Sequence, residues 1–179
     1  MLKNLFLTTI LIQIGLAVGN ICHDSICIPQ NYSKWIKPSS LVEVFMKFPT
    51  VQVLEIDDSK SIIELQLYMQ YDWLESRIVG PSKFPSKYIP IDKKFKDLLW
   101  CPDFFIYDQQ KTESQHFIGG ERRETLWLRN DNFVALDFDF KSFISCKMRF
   151  ESYPFDYHDC HLRIGSWSLS DANLQIKME

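Results

Sequence analysis

The chain has 179 residues, a formal net charge of −3, 46% hydrophobic residues and 15% aromatic residues. That is enough for one domain with a sizeable core. The mildly acidic balance, without a basic stretch anywhere, excludes a nucleic-acid surface, and no repeat or low-complexity segment interrupts the sequence.

The chain starts with Lys3 ahead of an apolar run that Thr8, Thr9 and Gln13 break, followed by the small residues Ala17 and Gly19. This pattern predicts a secretory signal peptide over residues 1–19 and a mature chain from near Asn20. The apolar run is short and broken, which makes a retained anchor the weaker reading, and no later run reaches the length of a membrane-spanning helix. A secretory route lets disulfides persist. Five cysteines are available: Cys22, Cys27, Cys101, Cys146 and Cys160. Cys22 and Cys27 are near enough for a small ring that leaves Cys101 odd, and a pairing with Cys101 also fits the sequence. Asn31-Tyr32-Ser33 is an N-glycosylation sequon, which predicts an exposed Asn31.

Residues Asn31 to Ser40 have room for a short helix. From Leu41 onward the period is two. Val42, Val44, Met46 and Phe48 share a face, and Pro49 closes or bends that strand. Ile63, Leu65, Leu67, Met69, Tyr71 and Trp73 alternate with Glu64, Gln66, Tyr68, Gln70 and Asp72, the pattern of a strand with one wet side. Gly80 to Pro90 reads as a loop, and Ile118-Gly119-Gly120 and Arg129-Asn130-Asp131-Asn132 read as turns. Val134, Leu136, Phe138 and Phe140 then oppose Asp137 and Asp139, and Leu174, Ile176 and Met178 alternate with polar residues up to the last residue. Many short strands with aromatic inner faces predict an all-β, antiparallel β-sandwich.

Between the last two of these strands lies Cys146 to Cys160. Cys146, Met148 and Phe150 alternate with charged residues, as do Cys160, Leu162 and Ile164 with His161 and Arg163, so both arms read as half-buried strands. Parity puts both cysteines on the apolar face, where a bridge between neighbouring strands has to sit. Tyr153-Pro154-Phe155-Asp156 forms the tip, a proline turn that exposes two aromatic rings. A zinc cluster of Cys146, His158, Cys160 and His161 has the right ligand types but matches no common zinc spacing. A hairpin in some other secreted sandwich also fits, although an immunoglobulin domain needs a longer cysteine separation. His158, Asp159 and Cys160 do not form a nucleophile with its base, because adjacent strand residues face opposite ways.

Two cysteines with thirteen residues between them and Pro154-Phe155-Asp156 in the middle resemble the signature loop of the Cys-loop receptors, the pentameric neurotransmitter-gated ion channels. Four further stretches are similar to that family. Tyr68 to Ile78 resembles its W-x-D-x-R-L strand, with Glu75 in place of aspartate, and Trp100-Cys101-Pro102-Asp103 resembles its W-x-P-D. Asn132-Phe133-Val134 and Ile164-Gly165-Ser166-Trp167-Ser168 follow in the family's order. The resemblance covers roughly residues 41–179.

The resemblance implies a ligand-binding sandwich stapled by a Cys146–Cys160 disulfide, worth about 3 kcal/mol in loop-closure entropy. It implies a ligand held between two subunits of a homo- or heteropentamer. Tyr107 and Trp167 fall on the principal face of that interface, and Tyr68, Gln70 and Asp137 on the complementary face. The parity of these strands agrees, since all but Tyr107 were placed on outward faces by alternation. Tyr153, Pro154, Phe155 and Asp156 become the tip that presses on a membrane domain, while Trp73, Trp100 and Asp103 belong to the core and its hydrogen bonds.

An aromatic box favours cations through the negative ring faces. Gln70 stands where several anion-channel subunits carry an arginine, and Asp137 repels a carboxylate. The expected ligand is therefore an amine of the acetylcholine kind and the expected channel branch cation-selective. Subunits of the GABA, glutamate or glycine kind, a soluble secreted acetylcholine-binding protein, and a partner that only intercalates into pentamers are the alternatives. No enzyme activity, cofactor or metal is expected. Residues 20–179 stop before the family's last strands and pore helices. The expected location is the secretory pathway, with the intact subunit on the extracellular side of the plasma membrane and this fragment secreted or retained.

Overall fold

The structure is a computed structural model that describes residues 20–23, 26–116, 118 and 122–179. The leader expected over residues 1–19 and the Gly119-Gly120 turn lie outside the described residues. Eleven described strands and one short helix follow in chain order: β1 (Ile21–His23), β2 (Ile26–Ile28), β3 (Val42–Asp57), β4 (Ile62–Leu74), β5 (Tyr88–Ile91), α1 (Lys93–Lys96), β6 (Phe104–Ile106), β7 (Gln109–Ser114), β8 (Glu124–Arg129), β9 (Phe133–Ser145), β10 (Ile164–Ser166) and β11 (Leu174–Met178).

The large sheet runs β11-β3-β4-β9-β8-β5. Its centre is the strand pair whose alternation was clearest in the sequence. Leu67, Met69, Tyr71 and Trp73 of β4 are buried, and their register neighbours Phe140, Leu136 and Val134 on β9 are buried with them. Both strands thus present one apolar face, and burying each large side chain contributes about 1.5–3 kcal/mol. β9 carries two partners on one edge: β8 along Val134–Phe138 and β7 along Phe140–Ile144. A smaller sheet, β6 with β10, lies over the apolar face and closes the sandwich. Phe104, Ile106, Leu162, Ile164 and Leu169 pack onto the core from that second layer. The Phe104 ring meets Tyr71 edge-on at 5.1 Å, joining the two layers.

Several expectations need correction. Asn31 to Ser40 holds turns and no helix: Tyr32 N–H donates to the Pro29 carbonyl at 2.9 Å, and Ser33 Oγ accepts from the Trp35 amide at 3.3 Å. The segment has no 3.6-residue apolar face, and local side-chain bonds of this kind compete with helix. Of the two readings for Pro49, the bend holds and the closure does not: β3 continues past it with a register shift between Lys47 and Thr50, where β11, paired with Val42–Met46, does not reach. Pro90 sits inside β5, again an edge strand, so the expected loop ends at Lys87. The pairing of β11 with β3 is parallel, unlike the other ladders.

The two arms of the Cys146–Cys160 loop are not strands. β9 ends at Ser145 and β10 begins at Ile164; the residues between belong to no strand, and their backbone bonds to other elements lie at the two ends, from the Cys146 amide to the Ser61 carbonyl at 2.9 Å and from the Tyr107 amide to the Arg163 carbonyl at 2.8 Å. Charged residues line both arms and leave too little apolar surface to hold a further pair of strands against the core.

A buried ionic group ties the N-terminal segment to the sheet. Glu75, with no side-chain exposure, receives Arg77 Nε at 2.7 Å and Arg77 Nη2 at 2.6 Å. Tyr32 donates its hydroxyl to the same carboxylate at 3.0 Å and accepts the Trp100 amide at 2.8 Å. Burial, partly offset by the Trp100 hydrogen bond, raises the Tyr32 phenol well above its ordinary range. Upstream, the β1–β2 hairpin is closed by a Cys22–Cys27 disulfide and docks through two backbone bonds between Cys27 and Val79. Cys101 is the free thiol. Among the described residues no helix is long and apolar enough to cross a membrane.

Candidate functional site

The small sheet presents an aromatic cluster to solvent. β6 and β10 pair Gly165 with Phe105, and Tyr107 follows β6 with its amide bonded to the Arg163 carbonyl at 2.8 Å. The Phe105 ring lies 4.5 Å from Tyr107 and 5.6 Å, edge-on, from Trp167. Trp167 is 80% exposed and Tyr107 44% exposed. Gly165 makes this possible, because a Cβ there would lie 3.0 Å from the Tyr107 ring. Behind the cluster, Asp103 accepts from Ser166 Oγ at 2.6 Å, and its carbonyl accepts the Trp167 amide at 3.1 Å. Burial pushes the Asp103 carboxyl up, but hydrogen bonds from Ser166 and Ser168 outweigh it and hold it below its ordinary value. The Arg163 guanidinium sits 5.4 Å from the Tyr107 ring centre and pairs with Asp108.

Tyr68, Gln70 and Asp137 form a second group on the polar face of the large sheet. Gln70 and Asp137 are register partners, and Gln70 Nε2 donates to the Tyr68 hydroxyl at 3.1 Å. Trp127 Nε1 donates to Asp137 Oδ2 at 3.1 Å. Burial, followed by the neighbouring Asp137 charge, raises the Tyr68 phenol above its ordinary value. Gln70, Asp137 and Trp127 line a cavity of about 420 Å³ together with Phe45, Lys47 and Tyr88. Asp72, at the same cavity, is paired with Arg129; burial outweighs that pairing and raises its carboxyl above the ordinary value.

The five residues singled out from the sequence therefore divide two and three between the two layers. Phe105, Trp127 and Arg163 were missed. A period-two count through Phe105 and Tyr107, and through Leu126-Trp127-Leu128, carries the signal for the two aromatics; for Arg163 only its place beside Tyr107 in space reveals it.

The signature loop is bridged: Cys146 and Cys160 form a disulfide with Cα atoms 5.3 Å apart, which removes both thiolates from the zinc alternative. At the tip the Tyr153–Pro154 peptide bond is cis, and Tyr153 and Phe155 are exposed. Asp156 pairs with His158 at 2.9 Å. Asn31 is exposed in its turn while its neighbour Tyr32 points inward.

Residues 26–179 match the model of the neurotransmitter-gated ion-channel ligand binding domain. The chain is 26% identical over 154 residues to neuronal acetylcholine receptor subunit alpha-6 of Rattus norvegicus, covering 82% of this chain and 29% of that protein. It is 23% identical over 148 residues to gamma-aminobutyric acid receptor subunit pi of Bos taurus, covering 81% and 32%. With neuronal acetylcholine receptor subunit alpha-10 of Homo sapiens it shares 22% identity over 153 residues, covering 82% and 32%. The chain thus spans about a third of the length of these relatives. An all-β sandwich with a bridged signature loop and a family match over most of its length belongs to the neurotransmitter-gated ion-channel ligand binding domain family, a receptor module and not an enzyme.

Proposed function

We propose that the chain supplies both halves of a neurotransmitter site formed between adjacent subunits of a pentamer, and that the ligand is an amine. Trp167 and Tyr107, with Phe105 between them, supply the aromatic half; Tyr68, Gln70 and Asp137 supply the polar half from the other layer. The observation that carries this reading is the exposure of Trp167 beside two further rings, an uncovered aromatic surface of the kind that ammonium groups bind. A neighbouring subunit covers it with a polar half like the one on this chain's own large sheet. In this reading residues 1–19 are a leader, Asn31 carries a glycan, the domain lies on the extracellular side of the plasma membrane, and the Tyr153–Asp156 tip meets the membrane domain of the intact subunit.

One observation favours a second ligand class. Arg163 beside Tyr107 offers a guanidinium that suits the carboxylate of an amino-acid transmitter, and a gamma-aminobutyric acid receptor subunit is among the relatives. Binding of tetramethylammonium, acetylcholine, GABA and glutamate to the subunit expressed at full length separates the two. In the amine reading Trp167→Ala weakens ammonium binding by up to about thirtyfold, the ceiling for one cation–π contact of about 2 kcal/mol. Asp137→Asn weakens it more at low salt than at high salt, since a half-buried charge at an open cavity still acts through a partly screened field. Tight GABA or glutamate binding that ignores both substitutions and falls with Arg163→Gln overturns the amine reading.

A further inference from the structure

The arms of the signature loop are held together without a strand ladder, and an imidazole does part of that work. His158, on the second arm, accepts the backbone N–H of Arg149 on the first arm through Nδ1 at 3.3 Å. Its other nitrogen, Nε2, lies 2.9 Å from Asp156 Oδ2 near the tip. The ring also meets Phe150 of the first arm at 5.3 Å, tilted 67°. His158 and Asp156 are both mostly buried, at 21% and 13% side-chain exposure. One ring thus touches the first arm twice and the tip once.

An imidazole can accept at Nδ1 only when that nitrogen carries no proton, so this geometry requires the neutral form with its hydrogen on Nε2, directed at Asp156. Protonation puts a hydrogen on Nδ1 facing the hydrogen of the Arg149 amide. The crossing bond is then lost while the contact with Asp156 gains charge.

We propose that His158 is a pH-sensitive latch of the signature loop: neutral, it ties the arms together across Arg149; protonated, it releases the first arm and holds only the tip carboxylate. The charged and titratable groups around it come from both arms. Lys147, Arg149 and Glu151 of the first arm, and Asp156, Tyr157, Asp159 and His161 of the second, line with it a cavity of about 540 Å³. His161 is a poor rival for the role, being 72% exposed and 3.7 Å from an exposed Asp159. The disulfide stays closed in both states, so the latch changes the stiffness of the arms beyond it and leaves the loop's closure intact.

The test is nitrogen NMR of the oxidised chain across pH 5 to 8, with hydrogen exchange of the Arg149 amide corrected for its intrinsic pH dependence. The latch predicts an unprotonated Nδ1 at pH 8 and an Arg149 protection factor that falls about fivefold on acidification, the size expected of one net hydrogen bond. His158→Asn, whose side-chain oxygen can take the Nδ1 place, should keep the protection and lose its pH dependence. His158→Phe should lack it at every pH. A hydrogen on Nδ1 at pH 8, or Arg149 protection that is flat with pH in the unsubstituted chain, overturns the proposal.

Discussion

Arg77→Met is the substitution with the largest consequence for the scaffold. Glu75 is fully enclosed and receives two short bonds from Arg77, so removing the guanidinium leaves a buried carboxylate with the Tyr32 hydroxyl as its remaining side-chain donor. Breaking a buried pair from one side costs about 3–5 kcal/mol, because the surviving charge keeps its desolvation penalty. Against a total stability of about 5–15 kcal/mol this is a large fraction. At roughly 2–4 °C per kcal/mol for a domain of this size, the midpoint should fall by about 6–20 °C. Arg77 also donates to the Ile36 carbonyl at 2.7 Å and stacks 4.3 Å from the Tyr32 ring, so the loss loosens the N-terminal segment too. Thermal unfolding followed by near-ultraviolet circular dichroism, with disulfides intact, reads the effect through Trp73 and Trp100, which pack edge-on at 6.1 Å. Glu75→Met with Arg77→Met should be less harmful than Arg77→Met alone, because the double change removes the stranded charge. A midpoint shift below about 2 °C, or a double variant whose losses simply add, would refute the reasoning.

Gly165→Ala should push the Tyr107 ring away from β10, since a Cβ would come within 3.0 Å of it; ligand binding should weaken while the melting midpoint changes little. Trp127→Phe removes the donor that fixes Asp137 and should reduce the salt dependence of ligand binding, because a mobile carboxylate spends less time at the cavity. Cys101 has its thiol pushed up to about 11 by burial, only partly offset by Lys96. At pH 8 it should hold about a hundredfold less thiolate than an ordinary cysteine; its thiolate is the better nucleophile, so iodoacetamide should label it about tenfold more slowly or slower still, and mass spectrometry with time reads the rate.

How much of this was legible in the sequence varied with the local physics. Ile63 to Trp73 alternates without a fault because β4 is central, paired on both edges and wet on one face, so each residue's polarity reports its side. The Arg129–Asn132 turn was legible for a similar reason: Asn132 takes a left-handed conformation, at φ 63°, that asparagine tolerates. Pro90 misled because a proline is compatible with an edge strand, and which strands are edges is a property of the whole sheet. The loop arms misled because apolar and charged residues alternate along Cys146–Phe150 without any partner strand in register, and Phe150 ends up exposed. At the candidate site, Trp167 and Asp137 could be placed on outward faces by parity, but the grouping of Phe105 with Tyr107 and Trp167 depends on β6 lying beside β10. Those two strands are far apart in sequence, and no local pattern announces their pairing.

The parallel pairing of β11 with β3 sets an order of events on the chain during its synthesis. Val42, Val44 and Met46 are almost fully enclosed, yet their edge partners Leu174, Ile176 and Met178 come at the far end of the sequence. Closing so long a loop costs entropy that only contacts already formed can offset, so this ladder belongs to the end of folding. Until Leu174 to Met178 have left the ribosome and paired, the first half of β3 has one bare edge beside an apolar row. That edge is a natural place for a chaperone to hold the chain, and substitutions in Leu174 or Ile176 should lengthen that hold before they alter any ligand contact.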